Sequence, residues 1–199
     1  MMKKIAIMLA SALTALLLLN ACTVAPATEE ATEAPATIEA TEAPATEEAT
    51  QAHAAETDGG DLSFSFTTLT GGTLDQSIFS NNKLIMVNYW ATWCGPCVSE
   101  IPDLVKISKD YADKGFALIG VNVDNSDEDG VKQFIADQGI TYPVIFADGF
   151  FLDEIQGYQY IPTTLFYDST GKQVGQAVVG SNSYSDWSGL IDTLLEQVG

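Results

Sequence analysis

The sequence predicts an α/β fold in which a mixed central sheet is covered by helices on both faces. Leu84 to Trp90 and Phe116 to Val123 are nearly continuous apolar runs, as strands buried on both faces require. A segment with helical spacing follows each run, at Cys97 to Lys114 and at Glu128 to Gln138. A late turn, Ser169-Thr170-Gly171, adds a hairpin to this strand-helix alternation. About 140 residues, 59–199, suffice for one well-buried core.

The elements follow in chain order. Lys3 and Lys4 precede an apolar run, Ile5 to Leu19, too short to span a bilayer. Small residues then lead to Cys22, so residues 1–21 read as a secretory signal. Leu19-Asn20-Ala21-Cys22 resembles a bacterial lipobox, which makes Cys22 the expected lipidation site; ordinary cleavage or an uncleaved anchor are the alternatives. Residues 22–58 carry the repeat Thr32-Glu33-Ala34-Pro35-Ala36-Thr37 and Thr41-Glu42-Ala43-Pro44-Ala45-Thr46, acidic and almost without apolar side chains. Such a stretch cannot offset its ordering entropy and is expected to be a disordered tether, with His53 as a bystander.

Within the domain, Leu62 to Thr68 alternates like a half-buried strand, and Gly71-Gly72 is a turn. The helix over Cys97 to Lys114 contains Pro102, which predicts a kink, and stops at Gly115. Gly139 ends the helix after Gln138, and Ile140 to Gly157 reads as an extra strand-helix insert with its strand at Val144 to Phe146. Thr163 to Tyr167 is a further strand, Lys172 to Val179 an edge strand, and Tyr184 to Val198 a closing helix.

Trp93-Cys94-Gly95-Pro96-Cys97 lies where the first buried strand meets its helix. Two thiols spaced this way can close a small ring, with the first sulfur near the free N–H groups that stabilise a thiolate. A zinc half-site or a structural bridge are the alternatives. Zinc needs about four ligands, and the remaining candidates, Cys22 and His53, lie in segments without folding signals.

Asn88 to Pro102 resembles the active-site segment of the thioredoxin superfamily, and within it the membrane-tethered TlpA/ResA-type thiol-disulfide oxidoreductases. Tyr160-Ile161-Pro162-Thr163-Thr164-Leu165-Phe166-Tyr167, with the turn after it, resembles that family's second motif, a cis-proline segment facing the cysteine pair. The resemblance spans roughly Leu62 to Val198 and implies a thioredoxin-like three-layer sandwich. It implies a redox-active Cys94–Cys97 disulfide, with no further cofactor and no metal. Cys94 is the expected nucleophile and Cys97 the resolving thiol. Trp93 is expected on the surface beside the exposed sulfur, and Ile161 to offer its backbone to the substrate. Trp90 and Tyr89 belong to the core. Asn88 stands where thioredoxins proper carry a buried, proton-handling aspartate, and an amide cannot take up a proton. Glu100, three residues after Cys97, is the expected substitute, with a solvated helix residue as the alternative.

The chain has 27 acidic residues against eight lysines and no arginine, a formal charge of −19. That argues against nucleic acid and against an electrostatic membrane contact. The expected function is reduction of disulfides in exported proteins by a lipid-anchored protein on the extracytoplasmic face of a bacterial membrane. A membrane thiol donor would recharge it. A thiol peroxidase would need an arginine to stabilise its peroxide, which the chain lacks. A non-catalytic metal-carrying lipoprotein, such as a copper carrier, would use the same sulfurs as ligands, without a nearby histidine or methionine to help.

Overall fold

A computed structural model describes residues 63–199. Cys22, the expected lipidation site, the expected tether over residues 22–58 and His53 lie outside these residues. Thirteen segments of regular structure follow in order. They are β1 Ser65–Thr67, β2 Thr73–Asp75, α1 Ser77–Ser80, β3 Leu84–Trp90, α2 Gly95–Asp110, a 3-10 turn Ala112–Lys114, β4 Phe116–Asn122, α3 Glu128–Asp137, β5 Val144–Phe146, α4 Gly149–Ile155, β6 Thr163–Asp168, β7 Val178–Val179 and α5 Tyr184–Val198.

Five strands form the central sheet in the order β5-β4-β3-β6-β7. β4 runs parallel to β3 and to β5, whereas β6 is antiparallel to β3 and to β7. The sheet is therefore mixed, as the sequence predicts. β3 is buried along its whole length, and its side chains alternate between two cores. Leu84, Met86 and Trp90 face one core with Ile101, Leu104 and Ile107 of α2, Val131 of α3 and Trp187 and Ile191 of α5. Ile85, Val87 and Tyr89 face the other, with Phe79 of α1, Phe151 of α4 and Leu74 of β2. Helices cover both faces, giving the three layers of a thioredoxin-like sandwich. β5 and α4 supply the expected strand-helix insert.

Three expectations are corrected. The first strand is only Ser65–Thr67, and it pairs with β2 in a separate two-stranded hairpin. The helix predicted to start at Cys97 begins at Gly95 with Cys94 as its N-cap. It ends at Asp110, and Ala112–Lys114 tightens to a 3-10 turn before Gly115 at φ 76°. Pro102 lies inside that helix, which continues past it. The edge strand predicted over Lys172 to Val179 shrinks to Val178–Val179 plus one bridge, Tyr167 to Gln173. Gly175 interrupts it at φ 69°, a conformation that takes the chain out of strand geometry. A Cβ there would meet Leu194 at 3.2 Å.

Candidate active site

β3 ends at Trp90, and four residues later the chain caps α2 with Cys94. Cys94 has extended backbone, and its Sγ accepts the N–H of Cys97 at 3.3 Å. Pro96 in the first turn wastes no donor there. Cys94 and Cys97 are joined as a disulfide. Cys97 is fully buried, while Cys94 keeps 6% of its surface exposed, so the first sulfur is the one a partner can reach.

The second motif closes the other side. The Ile161–Pro162 peptide bond is cis, and the Ile161 carbonyl oxygen lies 3.6 Å from Cys94 Sγ. β6 starts at the next residue, in register with β3 through Tyr89 and Thr163. Gly180, just past β7, donates its N–H to the Pro162 carbonyl at 2.8 Å and holds this loop from behind.

Trp93 is 67% exposed beside Cys94. Its indole N–H donates to Asp124 Oδ2 at 2.8 Å. Asp124 lies just after β4, and hydrogen bonds from Ser126, then from Trp93, hold its carboxyl below the ordinary range. Trp90 and Tyr89 are buried in opposite cores, as their strand positions predict.

Glu100 is not a solvated helix residue: it is 2% exposed. Its Oε1 accepts from Asn88 Nδ2 at 2.9 Å, and its Oε2 accepts the backbone N–H of Asn182 at 3.1 Å. Burial pushes its carboxyl above the ordinary value. The Asn88 and Asn182 donors and the Trp187 indole oppose that shift, while Asp103 adds to it. The Trp187 N–H is itself buried without closing a hydrogen bond. Asp103, the next carboxylate along α2, accepts the Tyr184 N–H at the start of α5.

The structure thus brings Trp93, Cys94, Cys97, Ile161 and Pro162 to one end of the sheet, with Glu100 buried on α2 one turn beyond Cys97. Sequence reasoning missed Thr164, Asn182, Trp187 and Asp124. Thr164 carries a signal, since it lies within the proline motif, two residues beyond Pro162; the structure pairs it with Asn88 across the β3–β6 ladder. Asn182 contributes a backbone N–H, which leaves no trace in the sequence.

The redoxin family profile matches residues 40–156. The chain belongs to the redoxin family. Thiol-disulfide oxidoreductase ResA of Bacillus thuringiensis (strain Al Hakam) is 29% identical over 129 residues, 65% of this chain and 73% of that protein. Thioredoxin-like protein YneN of Bacillus subtilis (strain 168) is 33% identical over 112 residues, 54% of this chain and 63% of that protein. Among solved structures, a thioredoxin family thiol:disulfide interchange protein from Chlorobium tepidum superposes with a TM-score of 0.60 at 35% identity. The match covers 67% of this chain and 93% of that one. This redoxin is accordingly a thiol-disulfide oxidoreductase of the thioredoxin superfamily, built around the Cys94–Cys97 pair.

Proposed function

We propose that this redoxin reduces disulfides of exported proteins on the extracytoplasmic face of a bacterial membrane, anchored through lipidated Cys22 and recharged by a membrane thiol donor. The disposition of the two sulfurs carries the reading of the chemistry. Cys94 is reachable and lies against the Ile161 carbonyl, while Cys97 is sealed behind it. The signal-like N-terminus and the acidic tether support the location. No helix among the described residues is long and apolar enough to cross a membrane.

In the reduced protein, the Cys94 thiolate attacks one sulfur of a substrate disulfide. The Cys94–substrate bond forms, the substrate's own S–S bond breaks, and its second sulfur leaves with the electron pair. Ile161 offers its carbonyl to the backbone of the docked segment, and Trp93 covers it from the opposite side. Cys97 then attacks Cys94, closing the protein disulfide and releasing the second substrate thiol. Glu100 takes the Cys97 proton.

Trapping decides the assignment. Cys97→Ala should accumulate mixed disulfides with substrate, and Cys94→Ala should accumulate none; equal trapping by both would overturn it. Insulin reduction with dithiothreitol separates this enzyme from a metal carrier on the same scaffold. For the anchor, Cys22→Ala should release the protein or block its maturation. Membrane retention of that variant after signal cleavage would overturn the lipid anchor.

A further inference from the structure

Asn88 sits in the middle of β3, the strand whose end delivers the disulfide, and is 1% exposed. A buried amide is costly unless its hydrogens are used. Both Nδ2 hydrogens have acceptors: Glu100 Oε1 at 2.9 Å and Thr164 Oγ1 at 3.0 Å. Thr164 faces Asn88 directly across the β3–β6 ladder, two residues beyond Pro162. The other carboxylate oxygen of Glu100 is held by Asn182, in the loop whose Gly180 holds the Pro162 carbonyl.

We propose that Asn88 is a positioning residue for thiol-disulfide exchange: braced by Thr164, it holds Glu100 behind Cys97 and sets the pH range over which Glu100 passes its proton. The proposal rests on the reading of Glu100 as the proton carrier. The proton moves with the bond that breaks. When an external thiolate attacks Cys94, the Cys94–Cys97 bond breaks and the mixed disulfide forms. Cys97 leaves with the electron pair and takes the Glu100 proton, and closure reverses each transfer.

The groups around Glu100 show why an amide is needed here. From α2, Asp103 disfavours its charge. From the segment before β5, Tyr142 is a buried phenol, kept neutral by burial first and by the Glu100 charge second. From α5, Trp187 directs an unbonded indole N–H. None of these neighbours is a cation, so neutral donors alone offset the cost of burying the carboxylate. An amide donates at every pH, whereas an aspartate at position 88 would titrate with Glu100 as a coupled pair.

The test is reduction of the full chain's disulfide by dithiothreitol from pH 5 to 9, with rates expressed per dithiothreitol thiolate. In the wild type this rate should fall as pH rises through the Glu100 ionisation, because the leaving Cys97 loses its acid. Glu100→Gln should lack that limb. Asn88→Leu keeps the burial and removes the donor, so Glu100 should bind its proton about tenfold more tightly, moving the limb up by about one pH unit. Thr164→Val, which removes only the brace, should move it the same way by less. In Glu100→Gln/Asn88→Leu no further change in the profile is expected, because nothing is left for the amide to set. An unmoved or lowered limb in Asn88→Leu would overturn the proposal. If that variant does not fold, Thr164→Val decides alone. A limb that survives in Glu100→Gln removes Glu100 as the proton carrier, and the role of Asn88 with it.

Discussion

Each face of the central sheet carries a glutamate withdrawn from solvent, one fully and one by half, and the pair separates a reactive site from its scaffold. Glu100 projects from α2 into one core, 2% exposed, and receives hydrogen bonds from an amide and a backbone N–H. Glu154 projects from α4 toward the other core, half-buried, and accepts a hydrogen bond from the Tyr167 hydroxyl at 2.9 Å. Burial pushes both carboxyls above the ordinary carboxylate value. A raised carboxyl therefore does not by itself mark the reactive centre. What distinguishes Glu100 is its neighbour: Cys97 lies one helical turn away, whereas Glu154 is surrounded by tyrosines. Tyr89 of that cluster buries a hydroxyl with no partner, and burial, then Glu154, raises its ionisation well above the usual phenol range.

The largest expected effect breaks this symmetry directly. Glu100→Gln should slow exchange near neutral pH by about a hundredfold, at the low end for loss of a general acid or base. The Cys94 thiol should also ionise at lower pH, since a nearby negative charge disfavours its thiolate. Glu154→Gln should leave both within twofold. Thiolate absorbance titrations and exchange rates on the two variants check this. Matching losses in both would show that α4 and its face of the sheet also serve the chemistry.

Stability against pH sharpens the comparison. In the oxidised protein each glutamate holds its proton more tightly when folded than when unfolded. The folded state thus carries more protons between about pH 4.5 and the raised folded value, and stability falls as pH rises across that window. Glu100→Gln and Glu154→Gln should each remove their share of that fall, measured by denaturant unfolding at several pH values. Glu100 is the more buried and should account for the larger share. A fall unchanged in both variants would place the proton uptake elsewhere.

Much of this arrangement is legible in the sequence, because side-chain pattern encodes it. The apolar run Leu84 to Trp90 announces a strand buried on both faces, and the cysteine spacing announces a helix mouth. Glu100 is reachable because the resemblance calls for a proton-handling group that Asn88 cannot supply, and the spacing puts this carboxylate one turn beyond Cys97. What is not legible passes through backbone. Asn182 reaches Glu100 by its N–H, and Gly180 holds Pro162 the same way. β2 and α1, at three and four residues, are too short to show a period. Lys172 to Val179 reads as an edge strand after the Ser169-Thr170-Gly171 turn, yet the fold needs Gly175 in a left-handed conformation beside Leu194.

A smaller effect belongs to the scaffold face. Tyr167→Phe deletes the donor to Glu154 and leaves a buried ring of nearly the same shape. A net loss of about 1 kcal/mol is expected, typical of one hydrogen bond. Exchange rates should be unchanged, since Tyr167 points away from the Glu100 face. A rate change of tenfold in this variant would couple the two faces through β6.

The smallest effect returns to the reactive end and concerns Asp124. Its carboxylate fixes the Trp93 indole at the surface, beside the sulfur that a partner must reach. Because the pair is exposed, water competes for both groups and little stability depends on it. The consequence should therefore appear in docking rather than folding. Asp124→Asn retains an oxygen acceptor for the indole and should behave nearly as wild type, whereas Asp124→Ala frees Trp93 to sample other rotamers. Reduction of a protein disulfide such as insulin should slow about twofold to threefold in Asp124→Ala. Reaction with a small disulfide such as oxidised glutathione should be unaffected, because it needs no platform. Equal slowing with both oxidants would mean that Asp124 acts on the reactivity of Cys94 itself, and that Trp93 is a bystander held at the rim.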